Sequence, residues 1–215
     1  MAFDLDIPTL IARMVVLVVA FTIHELAHAL TADYLGDSTP RQMGRITLNP
    51  LAHLDPLGTI ALLIAGFGWA KPVLVNPQNL RGNPRTSMAI VALAGPLSNL
   101  FLAALVIQPL RLGWLDNLIL GDDSNWASLS LFMFEFIFIN IILAVFNFIP
   151  LPPLDGFKIL SGILPPNLAY QLRPLEQYGS LILMALIFLL PAVGVDVIGV
   201  LLGEAAGFIF NLLIQ

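Results

Sequence analysis

Residues 14–28 read MVVLVVAFTIHELAH, so ten uncharged, almost wholly apolar residues run directly into two histidines and a glutamate spaced as HExxH. A charged side chain at the centre of a bilayer costs about 2.5 to 3.5 kcal/mol, so ionisable groups persist there only with partners or a task. On a helix, His24 and His28 are four residues apart and project from one face, where both can bind a single metal ion, and Glu25 is rotated to flank it. The pattern therefore predicts a membrane-embedded helix that carries two metal ligands and a base, the arrangement for metal-assisted hydrolysis.

Composition extends that reading to the whole chain. Of 215 residues, 58% are hydrophobic and 11% charged, against about a quarter charged in soluble domains; the chain reads as a polytopic membrane protein embedded in the lipid bilayer. A net charge of −5 and the lack of any basic patch exclude nucleic acid as a partner, since phosphates demand a concentrated positive surface. With no cysteine, thiolate ligation is excluded and any metal must be held by His, Asp or Glu. The first eight residues carry Asp4 and Asp6 and no basic residue, unlike the positive start of a cleavable signal, so the first span is expected to be retained. No repeat, low-complexity tract or long linker divides the sequence, and residues 1–215 read as a single membrane domain.

A span needs about 20 largely apolar residues. Ile7 to Ala32, Ser87 to Leu110 and Ala127 to Ile149 qualify, a fourth runs from about Tyr178 to Pro191 or a little beyond, and Val195 to Gln215 could be another full span or a shorter element, since Pro191, Gly194 and Asp196 interrupt it. The fold expected is thus all-α, with about four to six transmembrane helices. Gly58 to Ala70 is short for a crossing. If it dips in and returns, Arg41, Arg45, Lys71, Arg81, Arg85, Lys158 and Arg173 share one side and the acidic loop with Asp116, Asp122 and Asp123 lies opposite, which places the basic loops in the cytoplasm. A re-entrant element lining a protein cavity satisfies that partition. Arg41 to Asn49 and Lys71 to Asn76 hold short β-like runs, so a small β-rich element is expected after the first helix. His24 lies roughly 13 Å inside the cytoplasmic boundary at helical rise, and water would enter from that side.

Catalytic zinc generally takes three protein ligands and leaves a fourth position open. The remaining candidates are His53, Asp155, Glu135, Asp55, Glu204 and a few loop acids. Residues 147–156, NFIPLPPLDG, stand out because three prolines prevent a regular helix and imply a cavity at the end of the third long span. Here the chain resembles the site-2 protease family of intramembrane zinc metalloproteases, by HExxH at His24 to His28 and NxxPxPxLDG at Asn147 to Gly156 in the expected order. Residues 94–99, AGPLSN, look like the family's small-residue motif, and residues 44–59, GRITLNPLAHLDPLGT, are also similar to family members. The resemblance implies that His24, His28 and Asp155 bind one zinc ion (Zn2+), that Glu25 is the general base and that Asn147 assists at the substrate carbonyl. Helical rise alone would carry Asp155 to the cytoplasmic boundary, beyond the depth of His24; the resemblance, with prolines that permit a turn back, selects it.

Other polar residues have simpler readings. His53, in a turn-like sequence, is expected to be structural. Glu135 reads as a protonated or hydrogen-bonded packing residue inside a span. Asn140 shares a helical face with Asn147 and suits an interhelical hydrogen bond, and Gly95 and Asn99 suit close helix packing. The expected function is zinc-dependent cleavage of transmembrane segments of membrane-protein substrates in regulated intramembrane proteolysis, in a multi-pass protein of a prokaryotic inner membrane whose site opens to the cytoplasm. The alternatives are a zinc transporter or inactive chaperone using the same residues, and an HExxH protease that recruits Glu135 or Glu204 as third ligand.

Overall fold

Buried stripes at a four-residue spacing, each holding small residues, decide how the first two long helices meet. In a computed structural model that describes residues 7–65, 68–113 and 124–214, α1 (Ile7–Tyr34) buries Val16, Ala20, His24, His28 and Ala32. The helix across from it, Pro84–Arg111, buries Ser87, Val91, Gly95, Asn99, Ala103 and Ile107 at the same spacing. Residues four apart lie on one helical face. The small members of these stripes, Ala20, Ala32, Ser87, Gly95 and Ala103, let backbones approach closely, which is how helices associate where lipid removes the hydrophobic driving force.

Between these helices lie two short ones, α2 (Thr39–Gln42) and α3 (Pro56–Ala65), so Pro84–Arg111 is α4. Its start is set by Asn83, whose side chain accepts from the Arg85 N–H, with Pro84 in the first turn, where a missing N–H costs nothing. After α4 come α5 (Ser124–Phe148), α6 (Asp155–Ile163), α7 (Pro166–Met184, continuing through a wider turn to Ala192) and α8 (Val197–Ile214). Among the described residues, helices α1, α4, α5, α7 and α8 provide five stretches long and apolar enough to cross a membrane. The apolar core joins Ala103 and Ile107 of α4 to Ile137, Ile141 and Val145 of α5 and Ala206 of α8.

Three findings depart from the sequence expectations. The fourth span is longer than Tyr178 to Pro191, because Pro174 sits inside α7 without ending it. The tail, left open between a span and a shorter element, is one span-length helix, and Asp196, read as an interruption, caps it by accepting from the Gly199 N–H. Among the described residues there is no sheet: the expected β-rich element reduces to one antiparallel bridge, Leu54 with Ala70. Side chains take the place of a neighbouring strand. Arg45 donates to the carbonyls of Lys71 and Pro72, Glu25 accepts from Val73 N–H and Asp37 accepts from Asn76 N–H, while Pro72 has no N–H to pair. The bridge also means that the chain leaves Leu54 through α3 and comes back to the same point. The acidic loop with Asp116, Asp122 and Asp123 lies outside the described residues.

The third departure concerns depth. Asp155 does not continue outward from α5; it reaches the histidines of α1. Leu154 bonds back to Leu151, and Leu151 to Ile149, so the proline segment folds tightly between α5 and α6. Gly156 makes the return possible, since a Cβ there would sit 2.3 Å from the Phe148 carbonyl oxygen and 2.4 Å from that of Ile149. Arg85 then holds the far end of α6 by donating to the carbonyls of Ser161 and Leu164, both at 2.6 Å, which satisfies groups that every helix C-terminus leaves open.

Candidate active site

His24 and His28 are one turn apart on α1, and α4 fixes how each ring is presented. His28 Nδ1 lies 2.8 Å from the Val91 carbonyl oxygen, which can only accept, so this nitrogen carries the proton and Nε2 keeps its lone pair. His24 Nδ1 lies 2.7 Å from Asn99 Oδ1. The Asn99 amide nitrogen is committed to Asn140 Oδ1 and the Ala20 carbonyl, so its oxygen faces the ring and His24 has the same tautomer. Between the two anchors Gly95 leaves room for both imidazoles: a Cβ there would come within 2.4 Å of His28 Nε2 and 2.6 Å of His24 Cε1.

Two lone pairs therefore converge, and a carboxylate joins them. Asp155 Oδ2 is 3.1 Å from His24 Nε2 and 3.0 Å from His28 Nε2, and the two Nε2 atoms are 3.0 Å apart. Three acceptors packed together and buried suit a cation, and the separations are close to the roughly 3.3 Å that tetrahedral bonds of 2.0 to 2.1 Å would set. The donor set of two imidazoles and a carboxylate fits zinc. Asp155 Oδ1 lies 3.6 Å from Lys158 Nζ, a contact that orients the carboxylate.

Glu25 is buried beside this cluster, and its Oε2 accepts from the Val73 N–H at 3.0 Å. Both line a cavity of about 930 Å³ between α1, α4, α5 and α7, together with Asn147 and the triad. Asn147 reaches the cavity wall, but its amide nitrogen donates to the Leu143 carbonyl of its own helix at 3.0 Å. The other third-ligand candidates lie apart from the cluster. His53 is buried with Nε2 on the Thr47 carbonyl, Asp55 bonds the Gly58 N–H at the start of α3, and Glu204 is exposed on α8.

Glu135, expected as a protonated or hydrogen-bonded packing residue, is buried and hydrogen-bonded, and its partner is Arg13, which holds it through two contacts of 2.9 Å each. Arg13 is a lone basic residue in the first span and could have been matched to the lone acid of α5 on the rule that intramembrane charges pair. Glu135→Ala should lower stability by about 1 to 3 kcal/mol because it strands the guanidinium, and the double change Arg13→Met with Glu135→Leu should lower it less. Thermal unfolding in detergent measures both. Asn99 and Lys158, which support the triad, were also missed as site residues. Asn99 was legible only as a packing residue, and the seat at Val91 is a main-chain carbonyl with no signature in sequence.

The peptidase family M50 model matches residues 112–190, which include the Asp155 segment. YwhC of Bacillus subtilis, named as a candidate zinc metalloprotease, is 42% identical over 174 residues, covering 80% of this chain and 78% of its own. Rip2 of Mycolicibacterium smegmatis, named likewise, is 32% identical over 171 residues, 77% of this chain and 62% of its own. Rip2 of Mycobacterium tuberculosis is 32% identical over 182 residues, 80% and 64%. No solved structure matches the chain.

Proposed function

Because the chain belongs to peptidase family M50, the site-2 proteases, and is a multi-pass membrane zinc metalloprotease, we propose that it hydrolyses peptide bonds within transmembrane segments of other membrane proteins. In this reading His24, His28 and Asp155 hold one zinc ion, Glu25 is the general base, and residues 1–215 act as one domain. The observation that carries it is a buried His, His, Asp triad opening on a cavity between helices apolar enough to span a bilayer.

When bound, the ion supplies polarisation of the scissile carbonyl and acidifies the attacking water. The chain's own groups do the rest. Glu25, with one oxygen held by Val73, has the other free to take the proton from water and later pass it to the leaving amine. Asn147, turned from its bond to Leu143, would donate to the developing oxyanion. A peptide bond in a helix is shielded, so the substrate must unwind locally. The segment at residues 71–76 supplies Pro72, Val73 and Val75 to the cavity wall, and main-chain hydrogen bonds to it would hold an unwound chain there. The balance of loop charges supports a cytoplasmic position for Arg41, Arg45, Lys71, Arg81 and Arg85, in the inner membrane of a prokaryotic cell, with the site opening to that side and the cleavage serving regulated intramembrane proteolysis.

The test is to incubate purified, zinc-loaded protein in lipid vesicles with a panel of membrane segments and to map product ends by mass spectrometry. Cuts inside the apolar segment are expected. Cuts confined to flanking soluble sequence would contradict the reading, and zinc moving across the vesicle wall without any cut would favour a transporter.

A further inference from the structure

Glu25 has a long, rotatable side chain, and what steadies it is a stretch of main chain, the strap at residues 71–73. Its anchor outside the active site is Arg45, which is 3% exposed. One end of the guanidinium donates to the Ala52 carbonyl and the other to the carbonyls of Lys71 and Pro72. The next residue, Val73, turns its N–H to Glu25 Oε2. The strap has other anchors, at the Lys71 N–H, which donates to the His53 carbonyl at 2.7 Å, and at Asn76, which donates to Asp37 at 2.7 Å. Between those points Arg45 is the side chain that pins it beside the base. A planar fork of five donors can bridge two chain segments in this way, whereas a lysine ammonium is a single point. Burial pulls the Arg45 guanidinium below its ordinary value and the nearby Glu25 carboxylate works against that pull, so the two opposite charges are within electrostatic reach.

We propose that Arg45 is a positioning residue for Glu25: by clamping the carbonyls of Ala52, Lys71 and Pro72 it holds the Val73 N–H on one carboxylate oxygen and leaves the other aimed into the cavity. The inference rests on the reading of Glu25 as the base. A general base must lie within hydrogen-bond reach of the proton it takes, and a misplacement of about 1 Å can cost on the order of 100-fold in rate.

The test uses the full zinc-loaded chain and two readouts. Amide hydrogen exchange at Val73, which needs no turnover, should speed up about tenfold or more in Arg45→Ala, as expected for loss of one charge-assisted hydrogen bond. Zinc content should stay at the wild-type level while kcat falls roughly 10- to 100-fold and KM changes little. Val73→Pro removes the donor without touching Arg45 and should show the same split. The double variant should be no slower than the slower single, because both act through one contact. Wild-type exchange at Val73 in Arg45→Ala, a wild-type kcat in Val73→Pro, or multiplying losses in the double variant would overturn the proposal. If Arg45→Ala fails to fold, Arg45→Lys, which keeps the charge but loses the fork, is read in its place: faster exchange at Val73 is expected, and wild-type exchange there would overturn the proposal. Failure of the wild type to cut any segment would count against the protease reading, whereas the exchange result speaks to the strap separately.

Discussion

Glu25→Gln is expected to retain its zinc and to hydrolyse roughly 100-fold or more slowly, the range that a positioned general base contributes. The glutamine keeps the size of the side chain and an oxygen that can accept from Val73 N–H, so the strap and the cavity wall should survive. The change removes the carboxylate that takes a proton from water. None of the three contacts that gather the metal donors involves Glu25, so metal content should separate from turnover. Single-turnover cleavage of a membrane segment alongside elemental analysis reads both. A zinc-loaded Glu25→Gln protein that cleaves as fast as wild type would remove Glu25 from the mechanism.

Gly95→Ala should do the opposite and lose metal. Its new Cβ would lie 2.4 Å from His28 Nε2 and 2.5 Å from His28 Cε1, below any distance that packed atoms tolerate. Neither ring can easily yield, because His28 is tied to Val91 and His24 to Asn99, one turn to each side of position 95 on the same helix. Either the rings rotate off their anchors or α1 and α4 separate. Loss of an outer contact to a metal-binding histidine typically costs 10- to 100-fold in affinity, and a decrease of at least that order is expected. Competition with a zinc-chelating dye measures it. Unchanged affinity would show that the ion sits away from these rings.

The sequence spoke most clearly where chemistry demands particular side chains at fixed spacing. HExxH gives its ligands by helical geometry, and the proline-rich run before Asp155 announces a break in the helix. What it could not show was carried by main-chain groups or by position in space. The return of Asp155 to the depth of His24 depends on Gly156 closing against the carbonyls of Phe148 and Ile149 at the end of α5, a contact that rise per residue cannot foresee. The β-like run at residues 71–76 forms no strand; Arg45, Glu25 and Asp37 satisfy its main chain in place of a partner strand. β-propensity reports a preference for extended backbone and is silent on which groups pair with it. Asp196 shows the reverse case: an acid in an apolar tail looks like an interruption, and it is the cap that starts α8.

The proposed ligand set is tested most directly by zinc content of the purified wild type and of two single variants. Wild type should carry one zinc per chain, Asp155→Ala should lose it because the triad is left with two donors, and His53→Ala should keep it because His53 bonds Thr47 away from the cluster. Full zinc in Asp155→Ala together with loss in His53→Ala would contradict the assignment.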